Sequence, residues 1–586
     1  MPIRVPFRVS FRVSLLAAAA LLAASGAARA IDFDVDDYLP GYKLRLDLTP
    51  KYSTGYRLHN PSAALTSFNP AVDPGTINED DGDDNFRRGL MSNRLDLLTE
   101  LDLTGEHFGA RISGNAWYDS VYTHSNDNRP VQVVGAPTGV TVDAANTFPG
   151  AASNSFLPAT RRQLGEGAEL LDAFVYLKGD VGDMKGTLRV GRHTLQWGES
   201  VFFGQNGIAN AQGPVDIAKI MSVPNWQFKE VLLPVPQVSG SLEVAEGVSV
   251  GAYYQLHWEP SKIPGVGSYF SNQDYVGTGI VNFGADASGN PIELVYDKSK
   301  DLRPRDSGQG GLQLRWSPTG SEYEFGFYAA QYHDKTPAVP VFDFVNGNEH
   351  LAYAQDIQTY GASVTSSIGQ LNWAAEASVR NNAPLTSDPA VLGPGAVKTC
   401  GNTSSDPCYA VGRTAHVNVS GIYVLQPSAL WQGGALVGEL AYNHRLKITK
   451  DIFANADGTS SGLGGLDPRT TVNAYAFRAI FEPQYFQVLP GLDLSVPVGL
   501  GYNFGGRSSS IFNFAGGASD AGDYSVGLKG KYLSVWNMGL TYTNYFGKAG
   551  TFTQTLVPGA ASPRELSFDQ TLRDRAYVAF NVSRTF

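Results

Sequence analysis

The chain has 586 residues, with 65 Gly, 30 Phe, 28 Tyr and 8 Trp but only 2 Cys, and 44 Lys+Arg stand against 55 Asp+Glu. A net charge of −11 excludes the basic face of a nucleic-acid binder, and aromatics this common beside 17% charged residues exclude a disordered chain. No run reaches 18 apolar residues, which excludes spanning helices and leaves a large β protein, in water or in an outer membrane.

Residues 1–30 have the layout of a secretory signal peptide. Arg4, Arg8 and Arg12 form a basic segment, an apolar run follows from Val13 to Ala24, and Ala28-Arg29-Ala30 places small residues for cleavage after Ala30. The run is too short to anchor the chain, and Ile31 is not the Cys of a lipoprotein. Residues 31–586 are then read as one exported domain.

The exported part alternates with period two. Between Arg94 and Leu103, one parity holds Leu95, Leu97, Thr99, Leu101 and Leu103, the other Arg94, Asp96, Leu98, Glu100 and Asp102. The pattern returns at 248–258, 371–380 and 491–504. Strands are predicted near 42–56, 91–103, 108–118, 168–178, 186–197, 237–244, 248–258, 311–317, 322–333, 357–366, 371–380, 413–424, 434–446, 472–482, 491–504, 522–530, 535–546 and 574–586. Many exceed the usual length of sandwich strands and suit a tilted membrane crossing. Long and short gaps alternate, the rhythm of external loops and periplasmic turns. The predicted fold is an all-β, antiparallel outer-membrane barrel of 16–18 strands with both ends periplasmic.

The first long gap contains Glu79-Asp-Asp-Gly-Asp-Asp84. It lacks EF-hand spacing and reads as a solvated charge run; Ca²⁺ binding and bridging to lipopolysaccharide are the alternatives. On the polar parity, Arg94, Asp96, Glu100, Asp102, Arg111, Asp172, Arg315, Glu376 and Arg380 are candidates for the lumen. They either pair and solvate the interior or filter solutes by charge.

Residues 198–236 are too apolar for a solvated loop. Pro214 stands near the start of a predicted short helix, and Trp226, Phe228, Pro234 and Pro236 follow. The segment is either an external cap or a constriction folded into the lumen. Its candidate path or gate residues are Arg192, Glu199, Phe202, Asp216, Lys219, Trp226, Lys229 and Glu230, with Tyr253 on a neighbouring strand.

Gly191-Arg192, Trp197-Gly-Glu199, Asn206-Gly207, Pro214-Val-Asp216, Lys229-Glu-Val-Leu-Leu-Pro-Val-Pro236, Tyr254-Gln255, Trp258 and Gly267-Ser-Tyr-Phe270 together resemble the domain of unknown function 1302 family of proteobacteria. The resemblance covers nearly all of the exported part, most specifically 191–277. It implies a Gram-negative outer-membrane barrel associated with a companion envelope protein and an inner-membrane transporter, and handling of lipid-, steroid- or terpenoid-like compounds. It brings no catalytic residues with it.

Cys400 and Cys408 bracket a turn-rich loop and are predicted to form a disulfide in an oxidising compartment. Gly458-Thr-Ser460-Ser-Gly462 matches a nucleophile motif, yet a Gly-rich loop is the wrong context. No cofactor or metal-ligand spacing is found, and no enzyme is predicted. The chain closes on an alternating strand ending at Phe586, the form of signal read by the barrel-assembly machinery. The functional expectation is passive passage of a hydrophobic or amphipathic organic compound. A lipid hydrolase using Ser460, or a non-conducting scaffold, are the rivals.

Overall fold

The structure, a computed structural model, describes residues 31–66, 74–128, 132–135, 140–143, 154–182, 184–285, 291–393, 397–456, 461, 463–556 and 564–586. The signal peptide of residues 1–30 and Ser460 lie outside the described residues.

Eighteen strands close into one antiparallel barrel. They are β1 (Lys43–Arg57), β2 (Gly89–Thr104), β3 (Phe108–Asp119), β4 (Glu166–Val181), β5 (Met184–His193) and β6 (Val235–Ala245). Next come β7 (Val248–Gln255), β8 (Gln309–Trp316), β9 (Glu324–Tyr332), β10 (Ile357–Ile368), β11 (Leu371–Pro384) and β12 (Val411–Val424). The last are β13 (Gly433–Lys450), β14 (Asn473–Leu489), β15 (Leu492–Ser495 continuing as Val498–Gly505), β16 (Ala521–Tyr532), β17 (Trp536–Phe546) and β18 (Tyr577–Arg584). Each predicted strand is present. The break in β15 falls at Pro497, which has no N–H for the ladder; its carbonyl accepts from Gly527 N at 2.8 Å.

Closure removes the free edges. β18 pairs with β1 from Lys51↔Ser583 to Arg57↔Tyr577. Phe586 extends the seam, exchanging backbone hydrogen bonds with Leu48 at 2.9 and 3.1 Å.

The parity sorts by solvent. Leu97, Ile112, Leu170, Leu312, Phe327, Leu440, Val526 and Leu540 point outward and are exposed, while Arg94, Asp96, Glu100, Glu376 and Glu439 point inward and are buried. In water this protein would be inside out; in lipid it presents an apolar band and keeps its charges within. The barrel is therefore of the outer-membrane type.

Short turns join the strands at one end. At the other lie nine long loops, here numbered one to nine in chain order; the third turns into the barrel, and a folded cap is built from the others. A five-stranded sheet joins Ile280–Ala285 and Pro291–Tyr296 of loop four, Val339–Asp343 and Asn348–Ala352 of loop five, and Ala390–Leu392 of loop six. A second core gathers Phe86, Tyr122, Phe156, Tyr269 and Phe270 from loops one, two and four. Cys400 and Cys408 form a disulfide within loop six, with a Cα–Cα distance of 5.0 Å.

Two expectations need correction. The strand and alternation predicted over 248–258 stop at Gln255, and Trp258 is buried in the cap against Tyr353. The acidic run is not solvated. Glu79, Asp80, Asp81 and Asp83 are buried. Asp83 lies between Arg57 at 2.8 Å and Arg575 at 2.9 Å, which come from β1 and loop nine.

Candidate functional site: the third loop inside the barrel

The third loop, residues 194–234, leaves β5 and returns to β6, but it rests on distant parts of the lumen wall. Its first half is seated on β11, β12 and β13. There the inward parity offers Glu376 and Arg380, then His416, Asn418 and Ser420, then Glu439 and Asn443. Register aligns Glu376 with Asn418, and Ser420 with Glu439, so these polar groups form one patch.

The loop presents its backbone to that patch. Glu439 Oε2 accepts from Val201 N at 3.0 Å and Phe203 N at 3.1 Å, and also from Phe202 N; its Oε1 accepts from the Ser200 hydroxyl at 2.8 Å. Glu376 accepts from Glu199 N at 2.6 Å and Ile208 N at 3.1 Å. Arg380 donates to the carbonyls of Gln205, Asn206 and Gly207 at 2.8–3.0 Å. Two carboxylates and a guanidinium thus satisfy peptide groups that would otherwise be orphaned away from water.

The family motif residues acquire a physical reason here. A Cβ on Gly198 would come 2.5 Å from Glu376 Oε2, and one on Gly207 would come 2.3 Å from Oε1. Gly198 also has φ +91°, a region that L side chains rarely adopt. Asn206 is fully buried, donating to Asn418 Oδ1 at 2.7 Å while its own Oδ1 faces His416 and Asn443.

The middle of the loop crosses β7–β10. Trp197 packs edge-on against Tyr253 at 4.9 Å, and Ile208 and Tyr328 complete that cluster. The Tyr253 hydroxyl donates to Ala211 O at 3.1 Å. Tyr253 is buried beneath the loop, where it supports the segment.

The second half is seated on β1–β4. Asp216 caps the short helix Ile217–Ser222 by accepting from Lys219 N at 2.8 Å. Lys219 Nζ lies 3.2 Å from Glu169 and over the ring of Trp117. Glu230 lies 3.5 Å from Lys51, and Lys229 pairs with Glu100. Glu100 is in the periplasmic half of β2, as Glu376 and Glu439 are in theirs, so the loop descends well into the barrel. Between Asn225, at φ 52°, and Lys229 the tip is solvent-facing, and Trp226 and Phe228 meet there edge to face at 5.6 Å.

The other named residues take these places. Arg192 pairs with Glu259 of loop four at 2.5 Å. Glu199 lies 3.7 Å from Arg315, which also pairs with Glu324. Phe202 is half-buried on the Glu439 turn. Arg94 and Asp96 pair at 2.8 Å behind the loop, and Arg111 bridges Glu100, Asp102 and Asp172. Asn418 and Glu439 were not among the sequence candidates. The available signal was an inward-parity Asn and Glu on two strands beside Glu376.

Among the described residues, the loop's hydrogen bonds and ion pairs to the barrel wall run from β1 to β13. The remaining inner wall carries its own pairs. Arg478 of β14 and Asp523 of β16 meet at 2.8 Å toward the outer end, and Lys529 and Glu482 at 3.1 Å toward the periplasmic end. These side chains are 21–42% exposed, against 6% or less for Lys51, Arg94 and Asp96 under the loop.

The profile of the family described as "Protein of unknown function (DUF1302)" matches residues 11–586. The chain belongs to this family. No curated protein matches it. Solved structures that align with it include OccK2 (OpdF) of Pseudomonas aeruginosa in complex with glucuronate, at 10% identity and a TM-score of 0.37. Acinetobacter baumannii OccAB2 aligns at 10% and 0.38, and a BenF-like porin from Pseudomonas fluorescens Pf-5 at 9% and 0.39. Each alignment covers 93% of this chain and 98% of the other. Likeness this distant carries no argument about what this member of the family does.

Proposed function

We propose that this barrel is a non-enzymatic outer-membrane channel for passive passage of a hydrophobic or amphipathic organic compound. The observation that carries the reading is the contrast inside the lumen: a loop fixed on two opposed seats, beside a wall of accessible charge pairs on β14–β16. A constriction that leaves one polar wall free narrows a conduit and retains a wet track along it. Phe228 is exposed at the loop tip with half-buried Trp226 beside it, an apolar surface for a passing solute. A solute with both an apolar body and polar groups suits such a passage better than a bare ion does. Glu199, Asp216, Lys219, Lys229 and Glu230 act mainly by holding the loop, and Phe202 lies on the turn held by Glu439; Arg192 ties β5 to loop four, and the lumen charges Asp102, Arg111 and Arg315 pair beside the loop on β2, β3 and β8.

Export with cleavage after Ala30, insertion by the barrel-assembly machinery through the Phe586 strand, and contact with outer-membrane lipid and lipopolysaccharide belong to the same reading. So does cooperation with a periplasmic or lipoprotein companion and an inner-membrane transporter.

The test is solute entry into proteoliposomes together with conductance in planar bilayers. Stepwise conductance and accelerated entry of amphipathic solutes are expected. A folded barrel that neither conducts nor speeds entry of any solute would overturn the proposal and favour a scaffold.

A further inference from the structure

Loops one and four meet over the outer mouth. Asp274 N donates to Asn78 O at 2.9 Å, and Asn78 Nδ2 donates to Asn282 O at 2.9 Å. Between them, Asp80, Asp81 and Asp274 each bring a carboxylate oxygen within 4.8 Å of the other two, and all three residues are buried. Oxygens bound to one Ca²⁺ at about 2.4 Å lie no farther apart than twice that length, so this spacing is that of a shared cation.

Neighbouring acids of the same loop are neutralised by arginine: Asp83 by Arg57 and Arg575, and Glu79 by Arg564 at 3.5 Å. No ion pair among the described residues reaches Asp80 or Asp274. Asp274 adds a separate observation. It is fully buried; its Oδ2 accepts from the N–H groups of Asp80 and Asp81 at 2.9 and 3.2 Å, while Oδ1 has no hydrogen-bond donor among the described residues. A buried carboxylate oxygen without a partner is costly unless something cationic meets it.

We propose that Asp80, Asp81 and Asp274 hold one divalent cation of the Ca²⁺ class, which ties loop one to loop four over the mouth of the barrel. Oxygen-only ligands favour a hard cation, and water would supply the ligands beyond the three carboxylates. The site is separate from the third loop and holds whether or not the barrel conducts.

The experiment uses the full exported chain, refolded in detergent free of lipopolysaccharide so that lipid-bound calcium does not contribute. After EDTA treatment, Ca²⁺ binding is counted by equilibrium dialysis and followed by Tb³⁺ luminescence excited through the adjoining Tyr275. The expected result is one Ca²⁺ per chain, bound more tightly than Mg²⁺ and lost in Asp274→Asn and in Asp80→Asn. The order of Tm should also invert: wild type above Asp274→Asn in CaCl₂, and at or below it in EDTA. If Asp274→Asn does not fold, Asp80→Asn and the wild-type stoichiometry decide. Absence of Ca²⁺ binding by wild type, its retention in the variants, or the same Tm order in both solutions would overturn the proposal and leave three carboxyl groups that share protons.

Discussion

Two parts of the inner wall share one pattern of strands and differ in what lies against them. From β1 to β13 the inward side chains lie against the third loop: Glu376, Arg380 and Glu439 are spent on its peptide groups, Glu100 and Glu169 on its lysines, and Arg94, Asp96, Asp102 and Arg111 pair with one another beside it. From β14 to β16 the inward charges pair with each other and remain open to water. The same polar parity therefore does two jobs, and what separates them is the position of the loop. A lumen-facing charge is not evidence of a selectivity filter unless nothing else has claimed it.

The largest effect on this contrast is expected from Glu439→Gln. It removes the charge from an acceptor that serves three N–H groups and a hydroxyl of the loop, besides the Asn418 amide of β12. Hydrogen bonds to charged groups contribute about 1.5–3 kcal/mol each, though not additively. The loop should leave its seat, solute entry should rise several-fold, and Tm should fall. Unchanged entry with a lowered Tm would mean that the loop does not limit passage.

Arg478→Ala acts on the open wall and should separate the two arcs. The half-exposed pair with Asp523 is worth no more than about 1 kcal/mol, so Tm should barely move. Reversal potentials in a salt gradient should shift toward cations because Asp523 is left alone. A large loss of stability without a change in selectivity would place this pair in the scaffold.

A smaller effect comes from the outer rim of the covered arc. Burial pushes Lys335 of loop five down to about 7. Its ammonium donates to Gln255 Oε1 at 3.2 Å and to Gln309, and Gln255 in turn holds Gln212 O of the third loop. In the unfolded chain a lysine titrates near 10.4. Below pH 7 both states are protonated and the cost of the buried charge is fully present. Between pH 7 and about 10 the unfolded state binds more protons, so this residue makes stability rise with pH. Lys335→Met should flatten that rise in a Tm-against-pH series, while parallel slopes for both proteins would contradict the assignment.

The strands were legible because period-two alternation depends only on local sequence, and lipid inverts its meaning without altering it. The lumen parity of Glu376 and Arg380 was legible for the same reason. Their service to the third loop was not, because the peptide groups they meet lie some 170 residues away. Gly198 and Gly207 stood out as motif glycines, yet the cause is the closeness of Glu376, which only the closed barrel brings. The acidic run was misjudged because its burial depends on Arg57 and Arg575, one on the first strand and one just before the last.

On this reading passage runs along β14–β16 while β11–β13 are sealed by the loop. Single-channel recording with a charged, water-soluble thiol reagent tests it most directly, since the native cysteines are paired. Ser525→Cys sits on the inward parity of β16, and Ser420→Cys lies under the loop, where the native hydroxyl donates to Glu199 O at 3.1 Å. Stepwise block of current is expected through Ser525→Cys and none through Ser420→Cys. Block at Ser420→Cys with none at Ser525→Cys would contradict it.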